Sequence, residues 1–111
     1  VPDRRAFVRH RPSGELPCWV NVVLVGSSWM AEVVDISTDG IGISSACWLP
    51  AESHLLVRLA DAANTARTFL AHVRHATPRA GGDFQLGARL VNHLSEEQVR
   101  ELTGAANGGP R

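Results

Sequence analysis

Tyrosine is absent from this 111-residue chain, and the few tryptophans and phenylalanines bring the aromatic share to only 5%. So sparse a set of rings does not build the extended stacking platform that single-stranded nucleic acid requires. Cysteine is scarce as well: Cys18 and Cys47 stand far apart, with no C-x-x-C pair. Their apolar neighbours make both read as small buried hydrophobes rather than as a disulfide framework. No run of about eighteen apolar residues is present, and the N-terminus lacks the apolar core of a signal peptide. The expectation is a soluble domain, not membrane-spanning, in a reducing compartment. The chain starts at Val1 rather than Met, which reads as a domain taken from something longer. Net charge is missing too, because 11 basic side chains balance 11 acidic ones.

That neutrality is uneven. Residues 1–13 hold four arginines (Arg4, Arg5, Arg9 and Arg11) against Asp3 alone, a formal +3, which leaves −3 for the remainder. "DRRAFVRHRP" is flanked by proline and too irregular to join a core, so it is either a solvated tail or an anion-binding arm.

Beyond it the chain reads as short strands. In "LPCWVNVVLVG", Leu16, Cys18, Val20, Val22 and Leu24 fall on one face at period two. "WMAEVVDIS" follows, with Met30, Val34 and Ile36 sharing a side, and "TDG" turns into "IGISS", where Gly40 and Gly42 permit close backbone approach. "HLLVRLA" points Leu55, Val57 and Leu59 inward, "RTFLAHVRHA" does so with Phe69, Ala71 and Val73, and "FQLGARLVN" with Phe84, Leu86, Ala88 and Leu90. Trp19, Trp29 and Trp48 are expected to pack in the core or cap the barrel. The period then changes: "LSEEQVREL" carries a capping box, with Ser95 as N-cap and Gln98 three residues on, and Gly104 ends the helix. About six short strands at regular spacing, one terminal helix and no βαβ alternation predict a closed or nearly closed antiparallel barrel. At this length a single domain buries roughly two-thirds of its unfolded surface, enough for a core without staples.

Catalytic patterns are weak. The serines lie in turns or strands without a G-x-S-x-G elbow, and the five histidines are dispersed. His72 and His75, three apart, point to opposite faces of a regular strand and so do not share a metal. "DISTDG" matches the opening of a calcium loop at Asp35, Ser37, Asp39 and Gly40, but Ala46 stands where a bidentate Glu is required. Neither an enzyme nor a metal or cofactor site is expected. What the residues do suit is a guanine and a phosphate. Arginine forks grip phosphate or a guanine edge, while an ionised Asp35 accepts from the N1–H and 2-amino edge that only guanine presents. Ser37 stands two residues further on, and Gly40 lets a ligand approach the backbone.

"RRAFVR" is similar to the RRxxxR signature, and "DISTDG" to the D/N-x-S-x-x-G signature, of PilZ domains, bacterial receptors for cyclic di-GMP. "FQLGARLVNHLSEEQVREL" resembles the family's closing strand and C-terminal helix, with Leu90 standing where Phe is frequent. The resemblance spans residues 4–103. It implies an all-β fold, a six-stranded antiparallel β-barrel with a flexible N-terminal arm and one C-terminal α-helix. The expected divisions are an arm at 1–13, the barrel and helix at 14–104, and a disordered tail at 105–111. It further implies that Arg4, Arg5 and Arg9 grip the ligand and that Asp35, Ser37 and Gly40 line the barrel surface receiving its other part. Cyclic di-GMP would then bridge arm and barrel, and the reoriented arm would signal to a neighbouring domain or effector in the bacterial cytoplasm, in a larger and in some cases membrane-attached protein. DNA and RNA are not expected partners. Two alternatives stay open from the sequence: an interaction module that binds no nucleotide, and a small barrel that binds nucleic acid through its basic arm.

Overall fold

The computed structural model describes residues 9–60 and 66–104. Six strands run as β1 (Pro17–Val22), β2 (Ser28–Ile36), β3 (Gly40–Ser45), β4 (His54–Ala60), β5 (Ala66–Pro78) and β6 (Phe84–Leu90), followed by the helix α1 (Glu96–Thr103). They close into an antiparallel barrel in the order β1-β2-β3-β6-β5-β4, with β4 returning to pair with β1. Closure gives every strand a partner on both sides, which is how so small a sheet satisfies its backbone groups.

Val20, Ile36, Ile41, Ile43, Leu55, Val57, Val73 and Leu86 fill the interior and are completely buried. Each such side chain contributes roughly 1.5–3 kcal/mol relative to exposure. Leu55, Val57 and Leu59 on β4 and Leu86, Ala88 and Leu90 on β6 face inward, as their period-two pattern predicts. Ser95 caps α1 through its side chain, Gln98 returns the bond, and Gly104 closes the helix in the left-handed region at φ 78°. Val99 and Leu102 turn into the core beside Leu94.

Cys18 is buried as expected, and burial, aided by the charge of Glu32, pushes its thiol up to about 12. Cys47, in contrast, is exposed, because it lies in the irregular segment after β3. Leu24 does not continue the apolar face of β1. It sits fully exposed in the β1–β2 turn at φ 74°, beyond the point where the backbone turns back through Gly26 N–H and Val22 C=O at 3.0 Å. Of the tryptophans only Trp29 packs against the core, its Nε1 donating to Ser45 Oγ at 3.0 Å, whereas Trp19 and Trp48 are exposed.

The phase of β2 also differs from a regular alternation. Trp29, Ala31 and Val33 face the core, Met30 faces solvent, and Ile36 is nevertheless fully buried. A β-bulge resolves this: Val33 pairs with Ile43 while Asp35 pairs with Gly42, so Val34 is an extra residue and the inward phase shifts by one.

Candidate ligand-binding site

The β2 bulge has a chemical consequence. In unbroken alternation Asp35 would share the inward side of Val33, and a carboxylate there would be prohibitively desolvated. The extra residue turns Asp35 to the outer face and sends Ile36 into the core. A second bulge, on β5, acts in the same way. Val73 pairs with Ala88 and His75 with Gly87, so Arg74 is the extra residue and His75 turns outward. His72 and His75 therefore share the outer face, contrary to the expectation for a regular strand.

The four positions so aligned form one row across four strands. Asp35 lies opposite Gly42, Gly42 opposite Gly87, and Gly87 opposite His75. The two central glycines reduce the floor to bare backbone, and side chains from the ends lean over it. A Cβ on Gly42 would lie 2.7 Å from Asp35 Oδ1, and one on Gly87 would collide with the His75 ring.

The turn between β2 and β3 is organised by Ser37, which is fully buried. Its hydroxyl accepts from Gly40 N–H at 3.1 Å and donates to Asp39 Oδ1 at 3.0 Å, while its own N–H donates to Gly40 C=O at 2.8 Å. Leu90 N–H donates to Asp39 C=O and Leu94 N–H to Thr38 C=O, tying the turn to the end of β6. Ser37 is thus chiefly a turn-forming hydroxyl.

Arg9 reaches the Ser37 hydroxyl from the N-terminal segment. Its Nη2 lies 2.7 Å from Asp35 Oδ1 and its Nη1 donates to Ser37 Oγ at 3.4 Å. The guanidinium covers Gly40, where a Cβ would approach Nη1 to 2.9 Å. Asp35 Oδ1 is itself buried and has no well-aligned hydrogen bond, so the contact with Arg9 is an ion pair by distance rather than by donor direction. With Arg9 nearly half exposed, the pair contributes no more than about 1 kcal/mol. The segment is also fixed just beyond Arg9. His10 exchanges both backbone hydrogen bonds with Ile36, at 2.8 and 2.9 Å, and its ring stands 3.2 Å from Glu96 on α1. His10 therefore anchors the segment to β2 and α1.

Of the six residues expected to contact a ligand, the structure brings Arg9, Asp35, Ser37 and Gly40 together; Arg4 and Arg5 lie outside the described residues. The cleft beside them, of about 250 Å³, is lined by Arg9, Asp39, Gly40, Arg74, His75, Gly87, Ala88 and Arg89. Three arginines around one carboxylate give it the charge that suits an anion. His75 escapes sequence reasoning because the β5 bulge that turns it outward leaves no compositional mark, and Gly87, Arg74 and Arg89 because their convergence depends on pairing between distant strands. A cleft of about 310 Å³ on the β1–β4 side, lined by Trp19, Asn21, Ser28, Leu56, Arg58 and Thr68, has a single arginine and no glycine floor. Among the described residues no group of three or more His, Cys, Asp or Glu is placed to hold a metal ion. No described helix is long and apolar enough to cross a membrane.

Comparison with known proteins bears on this geometry. No curated protein sequence matches the chain. Among solved structures, the PilZ domain with c-di-GMP of YcgR from Escherichia coli is similar at a TM-score of 0.71 and 15% identity, covering 95% of this chain and 92% of that one. The Bacillus subtilis inhibitor of motility MotI/DgrA aligns at a TM-score of 0.66 and 15% identity, over 96% of this chain and 51% of its own. The K. pneumonia MrkH–c-di-GMP complex gives 0.66 and 15%, over 96% and 52%. The chain thus spans about half the length of these last two proteins, and likeness at such identity speaks to fold. A family model described as PilZ domain matches residues 3–106, nearly the whole sequence. The chain belongs to the PilZ domain family.

Proposed function

We propose that this domain is a receptor for cyclic di-GMP and not an enzyme. The observation that carries the reading is the Arg9 guanidinium, seated over Gly40 and reaching both Asp35 and Ser37. It joins the arginine-rich segment to the "DISTDG" turn at one point on the barrel. Membership of the PilZ family and the ligand named for the YcgR and MrkH structures support the choice of nucleotide.

In this mechanism Arg4, Arg5 and Arg9 supply forks for phosphate and for the O6/N7 edge of guanine, and Asp35 accepts from the N1–H and 2-amino edge. Gly40 allows the ring close to the backbone, and Ser37 holds the turn that presents both. A ligand making these contacts competes with the Arg9–Asp35 pair and re-aims the segment ahead of the His10 anchor against the barrel. The movement is read by a neighbouring domain or effector protein in the cytoplasm, with no DNA or RNA bound by this domain.

Titration calorimetry with cyclic di-GMP tests the reading. Wild type binds, and Arg9→Ala loses at least about ten-fold in affinity, as removal of a charged hydrogen-bonding partner requires. Absence of binding by wild type at about 100 µM would remove the proposal.

A further inference from the structure

The motif residues occupy the β2–β3 end of the glycine floor, yet the cleft continues to its β5–β6 end. There Arg74 is the extra residue of the β5 bulge, and Arg89 stands opposite Gly40 on β6. Both line the same cleft as Arg9, and both are exposed. Among the described residues neither guanidinium makes an ion pair or hydrogen bond, in contrast to Arg79, whose Nε lies 3.4 Å from Asp83. Arginine is the chain's sole strong cation, since no lysine occurs, so every such group is a planar fork suited to an oxyanion. Asp39 is the single carboxylate against the three guanidinium groups that line the cleft, so the excess positive charge is self-repelling and an anion between them removes that cost.

The bulge is a second, independent pointer. Bulges re-aim side chains beside functional sites, and the two in this barrel flank one row symmetrically. One turns Asp35 over Gly42 and the other turns His75 over Gly87. The His75 ring lies on a floor where only glycine permits it, at the opposite end of the row from Asp35.

We infer that Arg74, His75 and Arg89 form a second binding edge of this site, with the two arginines holding a phosphate and His75 stacking against a base. The inference rests on the cyclic di-GMP reading and deepens it. The ligand carries two phosphates and two guanines, and the motif residues at one end of the floor face only part of it.

Calorimetry with cyclic di-GMP on Arg74→Ala, Arg89→Ala and His75→Ala tests the inference, with Arg9→Ala and Arg79→Ala beside them. Thermal melts check that these surface substitutions leave the fold intact. Arg74→Ala and Arg89→Ala each weaken binding by about ten-fold or more, and Arg89→Lys recovers part of the loss because charge returns without the fork. His75→Ala weakens binding by about five-fold, and His75→Trp restores it. Arg79→Ala, which removes the same charge outside the cleft, leaves affinity unchanged. If Arg9→Ala is impaired while Arg74→Ala, Arg89→Ala and His75→Ala stay within about two-fold of wild type, the second edge is overturned and the receptor reading stands. An equal loss in Arg79→Ala also overturns it, since net charge alone would then explain the effect. Wild type that does not bind defeats both.

Discussion

The Asp35 carboxylate leans over Gly42, with Oδ1 only 2.7 Å from the place a Cβ would occupy. The glycine therefore holds open the space in which the carboxylate meets Arg9. Gly42→Ala forces the carboxylate to rotate away and breaks the ion pair, whose own contribution to stability is small. The expected outcome is a modest fall in Tm together with a loss of cyclic di-GMP affinity of about ten-fold, read by melting and calorimetry on one sample.

Ser37 gives the opposite split between stability and binding. Its buried hydroxyl satisfies Gly40 N–H and holds Asp39. Ser37→Ala leaves a buried donor unpaired, at a cost of about 1–3 kcal/mol. Urea unfolding will show a lower midpoint with an unchanged slope.

Cys18 determines behaviour in alkali. The chain has neither lysine nor tyrosine, so few other groups titrate between pH 9 and 12. The folded-state thiol ionises at about 12 instead of 9.0. Below pH 9 it is protonated in both states and stability is at its plateau. Above that, the unfolded state loses its proton first, and stability falls by about 1.4 kcal/mol per pH unit until the folded thiol also ionises. Cys18→Ala abolishes this alkaline slope, measurable by urea unfolding from pH 8 to 11. At pH 8 a thiol reagent should modify exposed Cys47 rapidly and Cys18 only after denaturation.

Leu24 is strained and exposed at once, with φ 74° and full solvent access. Leu24→Asn places there a residue that tolerates the left-handed region. It should raise Tm by a few degrees, a gain of roughly 0.5–1 kcal/mol, without altering ligand affinity.

Legibility in the sequence followed regularity. On β4 and β6 no bulge interrupts the alternation, and every inward residue is apparent from period two. The capping box at Ser95 and Gln98 is local chemistry and was equally plain. Asp35, Ser37, Gly40 and Arg9 could be named because their residue types and order carry the chemistry by themselves. The β2 phase, the orientation of His75 and the convergence of Arg74 and Arg89 could not. Each depends on one extra residue in a strand, and a bulge is fixed by pairing with distant strands rather than by local composition. Leu24 and Trp19 misled for a related reason: hydrophobicity marks what a strand face prefers, not where the strand ends or which face is left outside.

Closure of the barrel turns the outer row into a ruler. In an open sheet a strand can slip by a residue at the loss of a few end bonds, whereas here a slip at one seam has to be matched at every other around the ring. The separation of Asp35 from His75, three strand spacings or about 14 Å along the sheet, is therefore set by strand spacing and a locked register and not by either side chain. Substitutions along the row can change which groups stand at its ends but not how far apart those ends lie.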